Sequence, residues 1–272
     1  MLAKRVLTAL LVAPLAILMI LGLPTPWFAL PIGIIFLSAA WEWARIAGLQ
    51  NRPARIVLLL LSALAYIGLW QLRDGPWWSP VIALGVVWWG LACVWLKQLT
   101  FAASPTPAHR NMKLVAGALV LFPAWVAGMS IHGSSPHGPA WTLLAMLLVW
   151  GADTGAYFSG RFFGKRKLAP QISPGKTWAG AYGAGVAGIL IGLGGGLLLD
   201  VHGPRLAGLI LLSVLTVAAS IVGDLVESLM KRQGQVKDSG NLFPGHGGML
   251  DRMDSVFAAL PVFAAGKLLL GL

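Results

Sequence analysis

Nine apolar runs of membrane-spanning length follow one another along the chain, at about 1–23, 27–44, 55–72, 77–96, 113–131, 140–158, 177–199, 206–226 and 255–271, with only short polar segments between them. A bilayer core of roughly 30 Å asks for about 20 apolar residues of helix. No water reaches backbone amides inside lipid, so each run must satisfy its own N–H and C=O groups as a helix. The expected fold is therefore all-α, a polytopic integral membrane protein of nine transmembrane helices. Composition agrees: 11% of the 272 residues are charged and the mean hydropathy is +0.78, whereas soluble domains carry about 25% charged residues. The first run follows Lys4 and Arg5, as in a signal peptide, but no small-residue cleavage site ends it, and it reads as the first transmembrane helix.

A net charge of +11 would suit a nucleic-acid binder, yet the basic clusters are short and interrupted by spans. They sort by side instead. Every Lys and Arg except Arg73, Arg205 and Lys267 falls in the N-terminal segment or in the loops 45–55, 97–113, 159–176 and 227–252. The positive-inside rule then puts the N-terminus in the cytoplasm and the C-terminus outside. Trp27, Trp70, Trp77, Trp78 and Trp141 would mark the outer interface, and Trp43, Trp95 and Trp178 the inner one. Cys93 is alone, which excludes an intramolecular disulfide and argues against a thiolate metal site. Gly180, Ala184, Gly188, Gly192 and Gly196 recur every four residues, a groove that lets another helix approach closely.

Topology explains the basic residues but not the acids. Of nine Asp and Glu residues, Asp153, Asp224, Glu227, Asp238, Asp251 and Asp254 gather at the cytoplasmic ends of spans six, eight and nine, or in the loop before the last span. Asp153 and Asp224 lie inside spans, where an unpartnered carboxylate costs at least a few kcal/mol. Asp224, Glu227, Ser228 and Lys231 stand at i, i+3, i+4 and i+7, on one helix face. Asp251, Asp254 and Ser255 open the last helix, where its dipole favours carboxylates. Hard oxygen ligands of this kind suit Mg²⁺, which keeps positions for substrate phosphates. Ile172–Thr177 ends like a phosphate-binding loop, but Pro170 stands where the first glycine belongs and no strand precedes it, so a Walker A loop is rejected. What is left is a turn of N–H groups leading into a helix, with Lys176 and Thr177 available to phosphate. His246 lacks a second histidine at zinc-ligand spacing, so it reads as a hydrogen-bonding or phosphate-contacting residue, or as part of a turn.

The pattern Ser228-x2-Lys231-Arg232-x4-Lys237-Asp238-x-Gly240-x2-Phe243-Pro244-x-His246-Gly247-Gly248-x2-Asp251-Arg252-x-Asp254 resembles the signature of the phosphatidate cytidylyltransferase (CDP-diacylglycerol synthase) family. The segment from Gly151-Ala152-Asp153 through Gly160-Arg161 to Ser173-Pro174-x-Lys176-Thr177 resembles it too. One position departs: many members carry a glutamate two residues after the threonine, and Ala179 stands there, so that glutamate is not essential in this chain.

The resemblance implies transfer from CTP to phosphatidic acid with Mg²⁺, giving CDP-diacylglycerol and pyrophosphate, in the bacterial cytoplasmic (inner) membrane. It implies Asp224, Asp251 and Asp254 as metal ligands, with Asp153 and Asp238 as helpers. Lys176, Lys231, Arg232, Lys237 and Arg252 become contacts to triphosphate or lipid phosphate, and Arg161, Ser173, Thr177, Ser228 and His246 complete the substrate-binding set. The chain then reads as one membrane domain over 1–272, with 1–135 a helical scaffold and 136–272 the catalytic part facing the cytoplasm. Expected partners are CTP, phosphatidic acid and surrounding lipid, without nucleic acid; a homodimer is left open. Two other classes remain at this point. A transporter would place its acids at midplane in paired broken helices, and neither is seen. An alcohol phosphotransferase would need an Asp-Gly-x2-Ala-Arg type motif, which is absent, while a CTP-dependent lipid kinase stays open.

Overall fold

The computed structural model describes residues 13–242 and 247–272. Its helices are α1 (Ala13–Gly22), α2 (Thr25–Ile46), α3 (Arg52–Gln71), α4 (Trp78–Lys97), α5 (Pro107–His132), α6 (Gly138–Phe163), α7 (Trp178–Leu198), α8 (Gly203–Gln233) and α9 (Leu250–Leu269). Each described helix falls on one of the apolar runs. Proline opens the first turn of α2, α3, α5, α6 and α8, where its missing N–H has no intrahelical partner to lose. Asn51, Thr106 and Thr177 cap α3, α5 and α7 by accepting from the N–H groups of Ala54, His109 and Gly180. Six helices (α2, α3, α4, α5, α7 and α8) are long and apolar enough to cross a membrane. The protein is thus a multi-pass helical membrane protein. Helix α9 carries Asp251, Arg252, Asp254 and Lys267, which dilute its apolar character.

α9 is the centre of the bundle. From Ser255 to Phe263 almost every side chain is buried, with Phe257 and Phe263 fully enclosed. Helices α4, α5 and α8 all pack against it. Gly85 of α4 is where three helices meet, since a Cβ there would lie 2.5 Å from Pro123 of α5 and 3.1 Å from Pro261 of α9. The edge helix α3 buries only Arg55, Ser62 and Tyr66 and turns Ile56, Leu60, Leu64 and Ile67 outward, the pattern of a helix whose outer surface is solvated by lipid.

The buried residues of α7 are Gly180, Ala184, Gly188, Gly192 and Gly196, the four-residue stripe read from the sequence. A Cβ at Gly188 would lie 2.8 Å from Val217 Cγ2, and one at Gly192 would lie 2.2 Å from Ser213 Oγ. The stripe brings α7 against α8.

Three expectations change. Residues 167–177 form an antiparallel hairpin, β1 (Lys167–Ala169) with β2 (Ser173–Thr177), pairing Lys167 with Thr177 and Ala169 with Ser173. The all-α fold therefore carries one small hairpin, and Ser173–Thr177 is a strand rather than a turn of free N–H groups. Trp43, Trp95 and Trp141 are buried within the bundle and do not form a lipid-facing belt. Trp43 Nε1 donates to Lys113 O at 2.7 Å and Trp95 Nε1 to Phe101 O at 3.2 Å, so these indoles find carbonyls near helix ends instead of headgroups. Trp27 and Trp77 remain exposed. Finally, α8 runs past residue 226 to Gln233. Its 31 residues span about 46 Å at 1.5 Å per residue, so its last turns outreach the hydrocarbon and carry their charges to the interface.

Candidate active site

Helices α6, α7 and α8, with the hairpin, enclose a cavity of about 590 Å³, within the size range of small-molecule sites. Asp153, Tyr157 and Arg161 line it from α6, Lys176 and Thr177 from β2, Gly180 and Ala184 from α7, Ser220 and Asp224 from α8, and Ser255 from α9. The small residues of the α7 stripe thus do double service, seating α7 on α8 and leaving room at its N-terminal end. Lys176 Nζ lies 2.5 Å from Asp224 Oδ2, both partly exposed to the cavity. Asp224 also accepts from Ser228 Oγ at 3.3 Å, one helical turn on. Helices α8 and α9 touch there: a Cβ at Gly223 would fall 2.4 Å from Asp254 O. Arg161 donates to Tyr157 Oη at 2.8 Å, one turn back on α6.

A second cluster stands beside the cavity. Lys231 Nζ lies 2.9 Å from Glu227 Oε2 and 2.7 Å from Asp251 Oδ1. The other oxygen of Asp251 accepts from Ser239 N, Ser239 Oγ and Gly248 N at 2.7–2.8 Å. Asp251 precedes the apolar part of α9. Burial alone would raise its carboxyl, but the Lys231 ammonium and the donors of Gly248 and Ser239 hold it down at about 2. It stays a carboxylate at any physiological pH. Gly247 takes a φ of +82°, a left-handed turn that suits glycine, and sends the chain back over this carboxylate.

The residues predicted from sequence divide between these places. Asp153, Arg161, Lys176, Thr177 and Asp224 line the cavity, and Ser228 supports Asp224. Lys231 and Asp251 form the second cluster and do not line the cavity. Asp254 adjoins Asp224 and accepts from Ser255 N at 2.6 Å. Thr177 Oγ1 is engaged as the cap of α7. Arg232 is exposed and donates from Nε to Ile172 O at 3.3 Å, tying α8 to the hairpin. Lys237, Asp238 and Arg252 are exposed and Ser173 is half-buried on the hairpin. His246 lies outside the described residues. The sequence reading missed Glu42 of α2, which is buried and bonded to the loop before α9. Its signal was an acid between Trp41 and Trp43 at the C-terminal end of an apolar run, with no basic neighbour closer than Arg45.

Among the described residues, no three of His, Cys, Asp and Glu converge to hold a metal unaided. The donor set fits Mg²⁺ in another way. Asp153 and Asp224 are hard carboxylates open to a roomy cavity, and Mg²⁺ commonly takes one or two carboxylates and completes its shell with water and phosphate oxygens.

The cavity thus gathers carboxylates and cations at the polar end of a helical membrane bundle, a set of side chains chemically suited to an anionic phosphate group. Residues 3–269 match the profile of the cytidylyltransferase family. The chain is 45% identical to a phosphatidate cytidylyltransferase of Pseudomonas aeruginosa, over 97% of this chain and 96% of the relative. It is 38% identical to one of Haemophilus influenzae, over 97% and 98%, and 36% identical to one of Staphylococcus epidermidis, over 75% and 76%. The chain belongs to the cytidylyltransferase family.

Proposed function

We propose that the protein transfers the cytidylyl group of CTP to phosphatidic acid, forming CDP-diacylglycerol and pyrophosphate. The observation that carries this reading is the alignment of like-named relatives over nearly the whole chain, through every element that lines the cavity. A phosphate oxygen of the lipid attacks the α-phosphorus of CTP; the new O–P bond forms as the bond to pyrophosphate breaks. The nucleophile is already ionised at neutral pH, so no strong base is required. The obstacle is repulsion between two anions, which is met by fixed positive charge and in-line positioning.

Within the cavity, Lys176 and Arg161 supply that charge. Lys176 is held by Asp224 and is poised to exchange this partner for a phosphate. Asp153 and Asp224 would hold Mg²⁺, with Asp254 adding negative charge behind them. When bound, Mg²⁺ supplies charge neutralisation to the triphosphate. Lys231 and Asp251 fix the start of α9 relative to the end of α8. The orientation inferred from the basic loops puts this end of the bundle in the cytoplasm, where CTP is found, with nine spans and the C-terminus outside. The inner membrane of a bacterium is the setting that these relatives support.

The test is a group-transfer assay on purified protein in detergent with Mg²⁺, phosphatidic acid and CTP labelled at the α-phosphate. Label is expected in the lipid fraction, with one pyrophosphate released per label transferred, and chelation by EDTA should stop both. With CTP labelled at the γ-phosphate instead, label in the lipid fraction would indicate a kinase and overturn the reading.

A further inference from the structure

Glu42 is a buried acid near the site that none of the chemistry above uses, and unlike Glu227 it comes from the N-terminal half of the chain. It lies on α2 with about 7% of its surface exposed, and its partners are 197 and more residues away in sequence. Its Oε2 accepts from Ser239 Oγ at 2.7 Å and from Leu250 N at 2.8 Å, and its Oε1 accepts from Met249 N at 3.1 Å. The N-cap position of α9, Met249, offers no capping side chain, so the first N–H groups of that helix require acceptors from elsewhere. Glu42 provides them from another helix. Two glycines make the space: a Cβ at Gly240 would lie 2.2 Å from one carboxylate oxygen, and one at Gly248 would lie 2.1 Å from the other. Arg45, one turn along α2, donates to Ser239 O. Ser239 is fully buried, and its Oγ lies within 2.8 Å of both Glu42 Oε2 and Asp251 Oδ2. A single hydroxyl proton therefore serves two carboxylates, and Asp251 in turn holds Lys231.

We propose that Glu42 is a positioning residue for the transfer reaction. It fixes Ser239, Met249 and Leu250 at the start of α9, and through Ser239 it sets the placement of Asp251, Lys231 and the neighbouring Asp254. The inference rests on the proposed cytidylyl transfer for its assay. It assigns a catalytic consequence to the N-terminal half of the chain, which otherwise reads as scaffold.

The experiment compares Glu42→Gln, Ser239→Ala and the double variant with the unsubstituted protein, all purified in detergent. Folded protein is quantified by size-exclusion profile and melting, and kcat and KM for CTP are measured per folded molecule. Displacement by about 1 Å costs on the order of a hundredfold in rate, so kcat should fall at least tenfold in each single variant. The double variant should lose less than the product of the single losses, because both act through one network. A kcat per folded molecule within twofold of the unsubstituted protein in the single variants would overturn the proposal and leave Glu42 a purely structural cap. Losses that multiply would also overturn it, by separating Glu42 from Ser239. If Glu42→Gln does not yield folded protein, Ser239→Ala alone decides by the same kcat criterion. Failure of the unsubstituted protein to transfer label contradicts the proposed reaction instead, and so stays distinguishable.

Discussion

Lys231 sits at the centre of a charged cluster beside the cavity. Its ammonium bridges Glu227 and Asp251, and both acids are nearly inaccessible. Removing one member of such a buried set leaves charge unpaired, at a cost of about 3–5 kcal/mol. Lys231→Gln should therefore lower both the melting temperature and the turnover, which thermal unfolding in detergent and label transfer would read separately. Turnover lost with an unchanged melting temperature would move Lys231 from a structural to a substrate-contacting role. The signature made this region legible in the sequence, since Asp224, Lys231, Asp251 and Asp254 stand at helical spacing on two short stretches. It could not say that Asp251 would be saturated by Ser239, Gly248 and Lys231 while Asp153 faces the cavity. Glu42 was hard to read for a different reason: its partners are remote in sequence, and the local sequence offers only an acid between two tryptophans.

At the scale of elements, the α7 stripe gives a paired test. A Cβ at Gly192 would stand 2.2 Å from Ser213 Oγ, whereas one at Gly194 would meet nothing within 4 Å. Gly192→Ala should destabilise by about 1–3 kcal/mol through overpacking. Gly194→Ala should be neutral or stabilise by up to about 1 kcal/mol through helix propensity. Equal melting temperatures for the two would deny that the stripe seats α7 on α8. The helices were readable because lipid leaves a twenty-residue apolar run no other structure. The hairpin at 167–177 was not, because β1 has three residues and β2 contains Pro174 and Gly175. Its register depends on the ends of α6 and α7 that it joins, not on a local alternation. The buried tryptophans likewise depend on neighbouring carbonyls that only the folded bundle supplies.

For the whole molecule, cytidylyl transfer requires the polar end of the bundle to face CTP. Ser104 and Ser135 are both exposed and lie in loops at opposite ends of α5. In a Cys93→Ala background, cysteine introduced at Ser135 should react with an impermeant thiol reagent added to intact cells, and cysteine at Ser104 should react only after permeabilisation. The reverse pattern would contradict the orientation. The central claim is that cytidylyl transfer occurs in the cavity shared by α6, α7, α8 and the hairpin, and Asp224 is the residue through which that cavity meets Lys176, Ser228 and Asp254. The most direct measurement is label transfer from α-phosphate-labelled CTP to phosphatidic acid by Asp224→Asn, at equal amounts of folded, membrane-inserted protein. Asparagine keeps the size and removes the charge, so insertion should be retained. Turnover should fall by two or more orders of magnitude. Transfer at the unsubstituted rate would contradict the account and place the chemistry elsewhere in the molecule.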